Sequence, residues 1–507
     1  MRLLTLALIS GVVTFANATP VVHPRQGTPT ASLAPCAQVS QALYADPSAS
    51  PLPTTLPARI AYDCLNSMPL NATAAKALLW ELPIYVVWQS TLDMLKNPPE
   101  EYTEKVQQPT DILKGLEDLS ADVDAGKFTS EYGFGWALYS LFQSAHDGHF
   151  SYIPDSVGYI FNWGRPVPLV SVSEDGHKLP SVFAYSDVLG MQFKNITYMP
   201  SPVVEIDGKK VSEFLEDLSQ KGFLQDRDAL YNNLFYSLAQ ASLGSAGSGT
   251  GAFSGGGRGR YIYPGPTTTL KFANGTEYTM QNYARTNVNF REVQSGEDLA
   301  SKIIVYGSSQ GSVVEAAQAK AMASAEEPSE VKVQSVGGPG YPTPIVSGPQ
   351  YLINGFYINA AGYEDVAVLQ VPNFVSSASA ELPFQATSKK FLAQAVADGK
   401  TKLIIDLQAN GGGTIMQGYD LFKQLFPSLD PYGANRFRYT DPMDLIGQTY
   451  SAIGSQYPRD PRLTNSIVKN AQSSYYDYHS DMTVDGKPFQ SWKEKVGPVE
   501  TNGGETH

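Results

Sequence analysis

The chain has 507 residues, of which 42% are apolar and 11% aromatic, a composition typical of packed globular protein and long enough for two or three domains of roughly 150 residues. Its net charge of -13 argues against general nucleic-acid binding, which needs a basic footprint. Beyond the N-terminus no stretch approaches about twenty apolar residues, so no membrane span is expected.

Met1-Arg2, the apolar run Leu3 to Val13 and the small-x-small ending Phe15-Ala16-Asn17-Ala18 read as a signal peptide over 1–19. The chain is therefore expected to be secreted or in the secretory pathway. Asn71-Ala-Thr73, Asn195-Ile-Thr197 and Asn274-Gly-Thr276 are sequons, and Asn71, Asn195 and Asn274 are the expected glycosylation positions. Cys36 and Cys64 are the two cysteines. An even count behind a signal peptide favours a disulfide, whose closed loop would contribute roughly 3–4 kcal/mol in the chain-entropy view.

Residues 20–57, rich in Pro, Ser, Thr and Ala, read as an exposed leader pinned by Cys36. A helical region follows over 58–160. Ala74 to Lys96 has helical apolar spacing, interrupted by Pro83 and stopped by Pro98-Pro99. A second helix is expected over Tyr132 to Ser144, burying Phe134, Leu138, Leu141 and Phe142 and ending at Asp147-Gly148 with Gly148 at C′.

A β-rich segment over 161–320 comes next. Its expected strands are Val167–Val172, Ser181–Tyr185 and Val203–Ile206, the last followed by a turn at Asp207-Gly208. Val211, Phe214, Leu215 and Leu218 mark a short helix. Asn274-Gly275 centres a hairpin between Thr268–Phe272 and Glu277–Met280. Gly244–Gly257 is so rich in Gly, Ser and Ala that it reads as a mobile loop. Residues 321–349 read as a linker.

The region 350–507 changes character. Val366–Val371 and Lys402–Leu407 are apolar strands flanking a helix over Phe384–Ala397, with Gly399 after it. Asn410-Gly411-Gly412-Gly413 leads into a helix from about Ile415 to Phe426, ended by Pro427. This order implies a βαβ crossover and a buried parallel sheet. From Tyr439 onward the chain is polar and aromatic without strong periodicity.

Two segments carry chemistry. In His146-Asp147-Gly148-His149-Phe150 one histidine lies just past a helix C-terminus, where the dipole favours imidazolium and suits a general base. The same residues fit metal ligation, but no further His or Cys stands where a third strong ligand is needed, so neither metal nor cofactor is expected. A helix cap with surface histidines is the plainer alternative. In Asp406-Leu-Gln-Ala-Asn410-Gly411-Gly412-Gly413 the glycines let backbone amides converge at a helix N-terminus, an anion site for phosphate or an acyl oxyanion. A purely steric turn is the alternative there. Ser376, Ser377 and Ser379 follow a strand and superficially resemble a nucleophile on a turn, though small residues before a helix are commoner as a polar loop. No G-x-S-x-G elbow occurs.

Pro35-Cys36-Ala37, Ala61-Tyr62-Asp63-Cys64-Leu65, Gln89-Ser-Thr91 with Pro98-Pro99, His146-Asp-Gly-His149 and Leu403-Ile-Ile-Asp406-Leu-Gln-Ala-Asn410-Gly-Gly-Gly413 together resemble the fungal secreted serine peptidases of family S41. These are relatives of the chlamydial protease-like activity factor and, more distantly, of the tail-specific proteases. The resemblance implies an α/β protein: a helical N-terminal region, a PDZ-like β-rich domain and a ClpP/crotonase-like core. It implies His149 as general base, with His146 in reserve, and Gly411, Gly412 and Gly413 at the oxyanion. The implied partner is a peptide or protein substrate. Similar peptidases stand in clusters making ustiloxin- and phomopsin-type cyclic peptides, where the substrate would be a secreted precursor. Family members carry the serine downstream of a segment like Val496-Gly-Pro-Val499, and the carboxylate further on. The core is thus expected to be incomplete. The rival reading is an inactive protein that binds peptides through its PDZ-like domain. An acyl-CoA enzyme of crotonase type is disfavoured by the signal peptide and sequons.

Overall fold

The structure is a computed structural model and describes residues 33–46, 54–173, 175–241, 249–304, 341–375, 378–429 and 440–456, with Ser48, Ile467, Val468 and Ala471 besides. The signal peptide, most of the 321–349 linker, Ser376, Ser377 and the segment around Val496 lie outside the described residues.

The supposed leader is partly core. Helix α1 (Pro35–Tyr44) buries Cys36, Val39 and Leu43, and strand β1 (Thr55–Pro57) buries Leu56. The reason is the disulfide: Cys36 and Cys64, in α2 (Ala58–Asn66), are bonded and fully buried. That brings the i, i+3, i+7 face of α1 onto α2. Helices α3 (Ala72–Val86), α4 (Leu92–Lys96), α5 (Glu100–Lys105), α6 (Ile112–Asp124) and α7 (Glu131–Gln143) follow. Pro83 stays inside α3, and the break expected there comes after Val86. Asn71 caps α3 by accepting from Ala74 N at 3.0 Å.

Helix α7 organises this half of the molecule. Phe134, Leu138 and Phe142 pack in one cluster with Leu79, Leu82 and Leu116. Tyr132 and Tyr139 join a second cluster with the disulfide, Phe161 and Trp163. Trp136 borders the second cluster and a third. A helix apolar around most of its girth is buried on most sides.

Strands β2 (Phe161–Gly164), β3 (Leu169–Val172), β4 (Ser181–Ala184), β5 (Val203–Ile206) and β6 (Lys209–Lys210), helix α8 (Val211–Ser219), and strands β7 (Thr267–Phe272), β8 (Glu277–Gln281) and β9 (Tyr283–Thr286) follow. They form a sheet of order β6-β5-β7-β8, the pair β3-β4, and a sheet β1-β9-β2 that ties this segment back to the N-terminal region. The β7–β8 hairpin turns at Asn274-Gly275, with Gly275 at φ +86. Helix α9 (Gly296–Ile303) closes with a Ser295/Asp298 capping box.

The expected mobile loop is packed where it is described. Over 249–257, Phe253 is buried and a Cβ on Gly256 would lie 1.7 Å from the Thr250 carbonyl oxygen. Glycine composition removes side-chain burial, but it lets backbone bury against backbone.

The last unit begins before 350, at β10 (Val346–Ser347), and continues with β11 (Asn354–Tyr357), β12 (Val366–Gln370), helix α10 (Ala378–Ala397), β13 (Lys402–Asp406), α11 (Ile415–Leu425) and α12 (Asp441–Gly454). The order is β10-β11-β12-β13, with β12 and β13 parallel as expected. Helix α10 starts earlier than read and runs through Pro383, so Ser379 lies exposed in its first turn rather than on a loop. The expected burial fails at β13: Leu403, Ile404 and Ile405 are exposed. Among the described residues no strand pairs with its outer edge, and α11 packs on α10. The unit has its own core around Phe384 and Phe391.

Candidate active site

The histidine loop is built from the end of α7. Ser144, not Gly148, follows the last helical turn, and His146 takes the left-handed conformation at φ +49. A residue other than glycine pays for φ > 0 unless its surroundings hold it there. Here the His146 Nδ1 is 3.0 Å from the Leu224 carbonyl oxygen. A carbonyl only accepts, so Nδ1 carries the proton and the neutral ring keeps its lone pair on Nε2. Burial pushes the His146 pKa down, partly opposed by this bond, so the ring is held neutral.

The rest of the loop is tied on both sides. Asp147 accepts from the His149 amide at 2.8 Å and from Gln89 Nε2 at 2.8 Å, and Gln89 also donates to Thr91 Oγ1 at 2.8 Å. The Gln89-Ser-Thr91 segment therefore meets the histidine loop, as does Pro98-Pro99, which with Tyr102, Phe223 and His146 lines a cavity of about 690 Å³. Arg258 reaches in from the glycine-rich segment. Its Nη2 donates to the Gly148 carbonyl at 2.7 Å, and its guanidinium lies 4.3 Å from the centre of the Phe223 ring. Arg258 is a site residue that sequence reasoning missed. The available signal was an arginine embedded in Gly255-Gly-Gly-Arg-Gly259, where a side chain amid tightly packed glycine backbone has little room to do anything but brace a neighbour.

His149 is exposed at the tip of the loop and lines a separate cavity of about 330 Å³ with Tyr85, Phe142 and Tyr152. Among the described residues no serine hydroxyl is hydrogen-bonded to either imidazole, and no group of His, Cys, Asp and Glu could hold a metal ion.

The glycine turn lies in the other unit. Asn410 Nδ2 donates to the Val371 carbonyl at 2.7 Å, and its Oδ1 accepts from the Gly412 amide at 2.7 Å. The Gly412 amide is thus committed within the turn and cannot also serve an oxyanion in this arrangement. Gly411 and Gly413 retain amides without an acceptor among the described residues. Gly413, at φ +137, has no room for a Cβ, which would sit 2.2 Å from the Phe374 backbone. Asp406, at the end of β13, accepts from the Tyr341 hydroxyl at 2.8 Å, and burial with this bond raises the Tyr341 pKa to about 12. The cavities beside His146 and His149 contain no residue of Asp406–Gly413. The structure therefore joins the first four motifs around the disulfide and α7, and the glycine turn lines none of these cavities. All three sequon asparagines, Asn71, Asn195 and Asn274, are exposed.

Comparison with known proteins adds a family context. Residues 162–291 match the CPAF-like PDZ domain family. A protein of Diaporthe leptostromiformis named Peptidase S41 family protein phomP1' is 31% identical over 405 residues, covering 76% of this chain and 56% of the relative. Peptidase S41 family protein ustP of Aspergillus flavus is 31% identical over 279 residues, covering 54% of each. The chain spans little more than half the length of these curated relatives. Among solved structures, mature CPAF complexed with lactacystin is similar at a TM-score of 0.41 and 15% identity, over 76% of this chain and 66% of that one.

Proposed function

The chain is a homologue of fungal proteins of the peptidase S41 family, and from that kinship we propose that it is a serine-type peptidase that hydrolyses peptide bonds, with His149 as general base. The observation that carries this is the 31% identity along 76% of the chain, and the braced loop at 146–149 supports it. Loops held by a rigid scaffold commonly present catalytic groups. His149 stands accessible at the tip, while His146 is tied to Leu224. The amides of Gly411 and Gly413 are the proposed oxyanion donors. Secretion is part of the proposal, supported by the buried disulfide and the three exposed sequon asparagines. A precursor peptide as substrate rests on the resemblance alone.

A second reading is favoured by one observation: neither imidazole has a serine partner among the described residues. It is a catalytically inactive peptide binder acting through the PDZ-like domain. Fluorophosphonate labelling separates the two. On the peptidase reading the protein is expected to label; on the binding reading it is not. His149→Ala should then slow labelling by about 10²–10⁴-fold, the usual contribution of a general base. Undiminished labelling in His149→Ala removes that residue from the mechanism. Labelling that is lost in Ser377→Ala or Ser379→Ala would place the nucleophile at that serine. A folded protein that never labels leaves the binding reading.

A further inference from the structure

The cavity of about 690 Å³ beside the histidine loop is within the size range of sites for small molecules and side chains. Its wall is mainly apolar, with Met94, Leu95, Pro98, Tyr102, Phe223 and Leu224. Three features of it point to a guest. First, it holds an unused acceptor. His146 is 8% exposed, and its Nδ1 proton is spent on the Leu224 carbonyl. Its Nε2 has no hydrogen-bond partner and is nonetheless not sealed from solvent, so the lone pair opens onto space that His146 lines. Second, the cavity is kept clear. The backbone at Gly148 is not in the left-handed region that demands glycine, and a Cβ there would lie 3.4 Å from the Phe223 ring. A longer side chain at 148 would enter the space between the loop and that ring. Third, the walls are fixed before anything binds. Gln225 Nε2 donates to the Tyr102 hydroxyl at 3.0 Å, and Gln107 Nε2 donates to the Gln225 carbonyl at 3.0 Å. Arg258, itself not part of the wall, stacks on Phe223 while its Nη1 approaches Gln143 Oε1 at 3.4 Å. A preformed site loses less of its binding energy to ordering.

Charge narrows the guest. Asp147 is the one residue of the wall with a fixed charge among the described residues, and both of its carboxylate oxygens already accept hydrogen bonds, from the His149 amide and from Gln89. The Arg258 guanidinium behind Phe223 opposes a cation. What these groups match is an uncharged aromatic ring that packs on apolar walls and offers a single O–H or N–H donor. We propose that this cavity takes a donor-bearing aromatic side chain of a peptide, tyrosine or tryptophan, with its ring against Phe223 and its polar hydrogen donated to His146 Nε2. As a substrate pocket it rests on the peptidase reading, and it names the side chain that the substrate presents beside His149. The binding itself needs no hydrolysis.

The test is a ligand-observed NMR titration of the 507-residue chain with N-acetyl-tyrosinamide, N-acetyl-phenylalaninamide and N-acetyl-O-methyltyrosinamide, whose oxygen can accept but not donate. The first is expected to bind about fivefold more tightly than the other two, the worth of one ordinary net hydrogen bond. His146→Phe should erase that difference, and Gly148→Leu should abolish binding of all three by filling the cavity. Thermal unfolding checks that the variants fold, and the ligand series on the unaltered chain stands without either. Equal binding of the three ligands, tighter binding of N-acetyl-lysinamide, a preference that persists in His146→Phe, undiminished binding in Gly148→Leu, or no binding of N-acetyl-tyrosinamide at millimolar concentration would each overturn the proposal. Fluorophosphonate labelling is read separately. Binding without labelling keeps this pocket and removes the peptidase reading, and labelling without binding does the reverse.

Discussion

The behaviour of the histidine loop is decided by single atoms. The His146 pKa is lowered from 6.5 by burial, so the unfolded chain binds a proton there more readily than the folded one. A depressed folded value contributes stability that is fully present above the unfolded pKa and is lost as pH falls through the folded one. Denaturant midpoints should therefore fall as pH drops below about 6.5, and His146→Gln should flatten that slope. An unchanged slope in the variant would assign the pH dependence to other groups. Arg258 acts on the same loop through charge. Its bond to the Gly148 carbonyl and its stacking on Phe223 are charge-assisted, and Arg258→Met should lower stability by about 2 kcal/mol in urea unfolding. Its conservative replacement Arg258→Lys should recover only part, since a lysine cannot reach Gly148 and Gln143 with a planar fork. The partners of these two side chains were not legible in the sequence. The Leu224 carbonyl is 78 positions from His146 and Arg258 is 110 positions from Gly148, and local pattern carries no information at that range.

At the scale of elements the sequence is read best where local chemistry dictates geometry. The β7–β8 hairpin follows from Asn274-Gly275, because that turn needs a residue at home at positive φ. Helix α8 follows from its 3.6-residue apolar spacing, and Leu215 and Leu218 are buried as it requires. The failures have physical causes too. Helix α1 was hidden in a Pro- and Ser-rich stretch because its partner surface arrives only through Cys64. The segment 249–257 was hidden because composition registers side chains and this segment buries main chain. Two substitutions separate close packing from backbone strain there. At Gly256 a Cβ meets the Thr250 carbonyl, whereas at Gly257, φ +51, it meets nothing within 4 Å. Gly256→Ala should lower stability by more than about 4 kcal/mol or prevent folding, the range reserved for severe steric conflict. Gly257→Ala should cost about 1–2 kcal/mol, the ordinary strain of a left-handed residue. Urea midpoints of the two variants decide it; equal losses would mean that the segment is not packed as described.

For the whole molecule the telling feature is the unequal finish of its parts. The N-terminal helices, the disulfide and the PDZ-like strands share clusters through α7, and the carboxy-terminal sheet has a cluster drawn from its own residues. That sheet ends on β13, where Leu403 is 38%, Ile404 49% and Ile405 38% exposed. Adjacent residues of a strand point to opposite faces, so both faces of β13 are open, together with its unpaired edge among the described residues. Parallel strands are normally covered on both sides. The apolar run was legible in the sequence; its exposure was not, because pattern reports what a strand is suited to and not whether a neighbour is present. An open apolar edge is a template for pairing with another chain. The 507-residue protein should accordingly self-associate as its concentration rises in light scattering. Ile404→Lys should suppress that association, since a charge on an edge strand opposes pairing. It should shift the thermal midpoint little, as surface substitutions change stability by about 0.5 kcal/mol or less. Association that persists in Ile404→Lys would place the contact elsewhere. A large loss of stability would show that β13 is covered in solution, and the contrast between the two outcomes reads the state of this edge directly.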